Sequence, residues 1–73
     1  MKIRIDSVAN RPFEVVLEPW GTELTLDAGD WLDVRLPDDS AGLEVTYHER
    51  GFLLGFREDD PIIEDRAGNI VRP

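Results

Sequence analysis

The sequence predicts an all-β fold, a small antiparallel barrel or sandwich of about six to seven short strands. Three observations carry that expectation. Apolar and polar residues alternate with a period of two through most of the 73 residues, the spacing of a half-buried strand. No window of useful length carries the i, i+3, i+4, i+7 apolar pattern of a helix. Clusters of Gly, Pro, Asn and Asp separate the alternating runs every 8–12 residues or so, the punctuation of a sandwich or barrel.

Ile3 and Ile5 alternate with Lys2, Arg4 and Asp6 and give a first strand. Phe13, Val15 and Leu17 give a second, between the breakers Asn10-Arg11-Pro12 and Pro19-Trp20-Gly21. Leu24 and Leu26 belong to a third, which ends at Asp27-Ala28-Gly29. Leu32, Val34 and Leu36 mark a fourth, before Pro37-Asp38-Asp39-Ser40. Leu43, Val45 and Tyr47 form a fifth and Phe52, Leu54 and Phe56 a sixth, with Arg50-Gly51 between them. Past Asp59-Asp60-Pro61, the tail holds one more short strand pair around Ala67-Gly68-Asn69.

Cross-strand pairing predicts register for two hairpins. A five-residue loop over 27–31 pairs Leu26 with Leu32, Leu24 with Val34 and Glu23 with Arg35. A three-residue loop with Gly29 in the left-handed position pairs Leu24 with Leu32 but sets Glu23 against Asp33. Opposite charges across a pair are worth about 0.2–1 kcal/mol, which favours the longer loop. In the next hairpin, a loop at Arg50-Gly51 pairs Tyr47 with Leu54, Val45 with Phe56 and Glu44 with Arg57. A one-residue slip there would oppose the faces.

Composition narrows the function classes. One domain at most fits in 73 residues, with little stability in reserve. The chain has no cysteine, so it forms no disulfide scaffold and no Cys-ligated metal site. Its Met-Lys-Ile-Arg-Ile-Asp start has no long apolar run behind the positive charges, so neither a secretory signal nor a membrane span is expected. A soluble cytoplasmic protein is the expectation. Sixteen acidic against eight basic residues give a net charge of −8, and the basic ones are scattered singly. Phosphate contacts need clustered Lys and Arg, so nucleic acid and anionic membranes are disfavoured as partners. A basic protein partner fits the charge better.

No motif for enzyme chemistry is present. The chain lacks G-x-G-x-x-G, P-loop, H-E-x-x-H and G-x-S-x-G patterns. His48 is the sole histidine and falls on the face of Glu44 and Thr46, with no nucleophile beside it in sequence; it reads as a solvent-facing strand residue. Asp38-Asp39 and Glu58-Asp59-Asp60 lack the D-x-[DN]-x-[DN]-G spacing of a calcium loop and read as solvated turns. No cofactor and no metal site is expected. The candidate site is instead a contact patch of Trp20, Trp31, Glu18 and Glu23. Both tryptophans fall outside the alternating core stripe, and tryptophan is enriched in binding hot spots.

"FEVVLEPWGTELTLDAGD", residues 13 to 30, resembles small uncharacterised bacterial all-β proteins that carry a V-x-L-E-P-W-G segment followed by a Gly-containing turn. That resemblance implies a bacterial origin and a β-rich domain, with no activity to carry over. A looser likeness to cupins rests on Gly21 and Gly29 as turn glycines. The paired histidines and glutamate that hold a cupin's metal have no counterpart between Trp20 and Asp30, so a metal-free half-barrel is what it implies. The expected function is a non-enzymatic binding or accessory module acting through protein–protein contacts. The alternatives are a small-molecule-binding, cupin-like domain and an acidic inhibitor or immunity-type protein that blocks a basic site.

Overall fold

Val15, Leu17, Val34, Leu54 and Ile63 are sealed from solvent, and two β-sheets close over them. The computed structural model describes residues 1–8 and 10–73. Its strands are β1 (Lys2–Asp6), β2 (Phe13–Glu18), β3 (Thr22–Leu26), β4 (Trp31–Arg35), β5 (Leu43–His48), β6 (Gly51–Phe56) and β7 (Ile62–Asp65). A three-stranded sheet runs β1-β4-β7 and a four-stranded sheet runs β3-β2-β6-β5. The fold is a small β-sandwich, which decides between the two architectures the sequence leaves open.

Alternation does what the sequence promises on both inner faces. Ile3, Ile5, Leu32, Val34 and Ile63 line one, and Phe13, Val15, Leu17, Leu24, Leu26, Leu54 and Phe56 line the other. The tail also behaves as expected: after β7 the chain turns at 66–68 and Ile70 bridges back to Glu64. Asp65 holds that turn by accepting hydrogen bonds from the N–H groups of Ala67 and Asn69, each 2.9 Å.

Partner choice differs from the expectation in three places. β3 and β4 do not form a hairpin. β3 pairs with β2, and β4 pairs with β1 and β7, so the 27–30 segment carries the chain from one sheet to the other. Gly29 does take a left-handed conformation (φ +81°), but its N–H donates to the Ser7 carbonyl at 2.9 Å and the Ser7 N–H donates to the Asp30 carbonyl at 2.9 Å. These bonds tie the crossing to the end of β1. Leu26 and Leu32 are both buried, on opposite walls of one core rather than side by side. Arg35 accordingly meets Glu64 at 2.9 Å, not Glu23.

β5 and β6 do pair antiparallel with the expected faces, but each β5 residue meets a partner two positions earlier in β6 than expected. Tyr47 pairs with Phe52, Val45 with Leu54 and Glu44 with Gly55, and the turn is Glu49-Arg50. Gly51 is drawn into the strand because β6 also pairs with β2. That pair is parallel, with Gly51 beside Glu14, so the sheet is not wholly antiparallel. A side chain has no room there: a Cβ on Gly51 would lie 1.7 Å from the Glu14 carbonyl oxygen.

Candidate protein-contact surface

Each sheet has an outer face, and their chemistries differ. On the three-stranded sheet, Lys2, Arg4 and Arg35 balance Asp6, Asp33 and Glu64, with Trp31 and Ile62 between them. Arg4 grips Asp33 through two hydrogen bonds, Nε to Oδ1 at 2.7 Å and Nη2 to Oδ2 at 3.0 Å. Those bonds hold the buried Asp33 carboxyl below its ordinary pKa and raise that of Arg4, because a paired charge resists neutralisation. On the four-stranded sheet, the outward strand positions carry Glu14, Glu18, Glu23, Glu44 and His48 and no lysine or arginine.

The expected patch is not one surface. Trp20 follows the Glu18–Pro19 peptide, which is cis, in the turn between β2 and β3. It packs on Phe56 with ring centroids 5.8 Å apart. Trp31 begins β4 in the other sheet, past the far end of β3. Guanidinium carbons of Arg4 and Arg66 lie 4.7 and 5.4 Å from its ring centroid, an arrangement attractive through the ring quadrupole. Glu18 lies beside Gly55 at the end of β2, and Glu23 is exposed opposite Val16. Glu18 and Trp20 thus share the turn end of one sheet, Glu23 lies on its outer face, and Trp31 is separate.

Trp31 does border an open groove of about 520 Å³ between the sheet margins, together with Leu24, Leu26, Leu32, Arg66 and Val71. Among the described residues, no group of three or more His, Asp or Glu is placed to hold a metal ion. No helix among the described residues is long and apolar enough to cross a membrane.

The surface that sequence reasoning missed is built on β5. Val45 and Tyr47 point to the same side of the four-stranded sheet as the sealed Val15, Leu17 and Leu54. They are nevertheless 53% and 73% exposed, since the opposite sheet is one strand narrower and leaves β5 overhanging. Tyr47 stacks edge-on against Phe52 at 5.7 Å, and Phe52 does the same against Phe13 at 5.2 Å. A row of aromatic rings therefore runs from the half-buried Phe13 and Phe52 beside the core out to open solvent at Tyr47. Such pairs contribute about 0.5–1.5 kcal/mol beyond their buried area.

β5 also has an open backbone edge. The Glu14 N–H donates to the Arg50 carbonyl at 2.8 Å, so the even-numbered positions of β6 bond to β2, while its Gly51, Leu53 and Gly55 bond to β5. Their partners are His48, Thr46 and Glu44. Leu43, Val45 and Tyr47 consequently turn their N–H and C=O groups outward, by the alternation of an antiparallel ladder. On the other face, the His48 ring spans the space above Gly51. Its Nδ1 accepts from the Arg50 N–H at 3.1 Å, which leaves the proton of the neutral ring on Nε2. That Nε2 is 4.0 Å from Glu14 Oε1.

Comparison of the chain with family models, with curated proteins and with solved structures gives no match. The surface has to be read from its own chemistry.

Proposed function

We propose that this protein is a non-enzymatic binding module that acts through protein–protein contacts, made at the overhanging face and open edge of β5. One observation carries the reading. Val45 and Tyr47 occupy core positions of the alternating pattern, yet lie exposed at the end of an aromatic row beside unpaired backbone. Soluble domains blunt such edges with charge, bulges or cover. Here the free edge β1 carries Lys2, Arg4 and Asp6, and the free edge β3 carries Glu23. The tail covers β7, with the Val71 N–H donating to the Ile63 carbonyl at 2.7 Å. β5 carries Glu44 on its outer side but differs from the other edges in leaving two large apolar or aromatic side chains, Val45 and Tyr47, exposed on its inner side.

The test is partner recovery by cross-linking from an extract of the cells that make the protein. Tyr47→Glu, which loses the ring pair with Phe52, and Val45→Lys are each expected to stay cooperatively folded, within about 1.5 kcal/mol of wild type, and to abolish recovery. Undiminished recovery by both folded variants would overturn the reading.

The groove beside Trp31 favours a second reading, a small-molecule-binding domain. Its volume falls in the range of ligand pockets, and Arg66 beside the indole, with Asp30 and Asp65 also on the lining, suits a partly apolar ligand that carries both hydrogen-bond donors and acceptors. That reading expects Trp31 fluorescence to change saturably with such a ligand and the change to vanish in Arg66→Ala.

A further inference from the structure

We propose that the open edge of β5 takes up an extended segment of another protein in which apolar and basic residues alternate, adding it to the sheet as a fifth strand. This rests on the protein-contact reading and names the partner's chemistry. Leu43, Val45 and Tyr47 offer outward N–H and C=O groups over nearly the full strand, the main-chain ladder that strand addition needs. Side chains of an added strand alternate between two environments. On the inner side they meet Val45 and Tyr47, backed by Phe52, and there an apolar residue fits. On the outer side they meet Glu44, Thr46 and His48, with Glu14 4.0 Å beyond the imidazole.

Charge selects the residues on that outer side. The outward strand positions of this sheet hold four glutamates without a single lysine or arginine. A lysine or arginine opposite Glu44 gains a cross-strand ion pair, whereas an acidic residue there meets like charge. The net charge of −8 steers a basic segment toward the molecule and slows an acidic one. It also disfavours a second copy as the occupant, since self-pairing joins two equally acidic bodies along a single strand edge.

The experiment titrates the protein with a blocked synthetic peptide of alternating lysine and valine, about eight residues long to match a strand. A peptide of the same composition with its lysines and valines in separate blocks serves as the comparison. The alternating peptide is expected to bind at least about tenfold more tightly than the peptide with segregated lysines and valines, and to weaken as NaCl rises from about 50 to about 300 mM. Glu44→Lys and Val45→Lys are each expected to weaken it at least about tenfold. Val45→Pro removes an outward N–H that β6 does not use and is expected to abolish binding. If the proline variant fails to fold, the two lysine variants decide.

Equal binding of the two peptides, or binding indifferent to Glu44→Lys and Val45→Lys, would overturn the proposal. So would sedimentation showing a dimer that Val45→Lys dissolves, because the edge would then belong to a second copy. If no peptide binds while Tyr47→Glu still abolishes recovery of the cellular partner, the partner's chemistry is wrong and the protein-contact reading stands. If Tyr47→Glu leaves recovery intact as well, both fall.

Discussion

Gly51 and Asp33 are each held tightly, one by sterics and the other by charge. Gly51 is where β2 and β6 touch, and an added methyl would sit inside the Glu14 carbonyl group, 1.7 Å from its oxygen and 2.7 Å from its carbon. Backbone atoms on one side and a left-handed φ of +154° on the other leave no adjustment. Gly51→Ala is expected to cost more than about 3 kcal/mol, a large share of the stability of so small a domain, read as loss of cooperative urea unfolding. Gly55, two residues on in the same strand, meets only Glu44 at ordinary contact distance, 3.5 Å. Gly55→Ala is therefore expected to stay within about 1 kcal/mol of wild type.

Asp33 is constrained by charge. Its folded pKa lies below the ordinary carboxylate value because Arg4 hydrogen-bonds its ionised form. A carboxyl with a depressed folded pKa contributes stability that is fully present above its unfolded pKa, near 3.9, and is lost as pH falls through the folded pKa. Urea midpoints measured downward from pH 5 should fall below about pH 4, and part of that fall should disappear in Asp33→Asn. An unchanged acid limb in the variant would show that the pair contributes nothing to pH dependence.

At the scale of elements, the chemistry of each strand was legible and its neighbours were not. Period-two alternation fixes which side of a strand is buried, so the first six strands and their inward residues follow from the sequence, whereas the tail shows only that a further strand exists and not that Ile63 is its buried residue. Alternation is blind to which other strand supplies the pairing. Leu26 and Leu32 look like hairpin partners because both are apolar and a glycine turn lies between them, yet that turn steps across the core. The β5–β6 register slides by two residues without flipping a face, and what sets it is the parallel contact of Gly51 with β2, far away in the chain. The candidate site was hidden for the same reason. Val45 and Tyr47 read as core, because their exposure arises only when three strands are laid over four. One signal was available: an odd strand number leaves two sheets unequal, and tyrosine tolerates a half-wet position better than phenylalanine.

The tail gives an element-scale prediction. Asp65 folds the 66–69 turn that lays Ile70 and Val71 along β7. Asp65→Ala is expected to cost about 1 kcal/mol and to speed amide exchange at Val71 more than at Leu54. Equal change at both would show that the turn is not a separate unit.

For the whole molecule, the unequal sheets produce two unlike outer faces, one with balanced charge and one acidic. Like charges at an exposed surface destabilise modestly and are screened by salt. Glu23, exposed on the acidic face, tests this. Glu23→Lys is expected to raise stability by about 0.3–0.5 kcal/mol at low salt, with the gain shrinking at high salt. The same overhang that leaves one face acidic also leaves β5 without a neighbour, so charge and open edge lie together. Amide hydrogen exchange on β5, with and without the alternating lysine–valine peptide, tests that account most directly. In the free protein, Val45 and Tyr47 should exchange fast while Thr46 and His48 stay protected, and the peptide should protect Val45 and Tyr47 selectively. Slow exchange at Val45 and Tyr47 in the free protein, or no added protection with peptide bound, would contradict it.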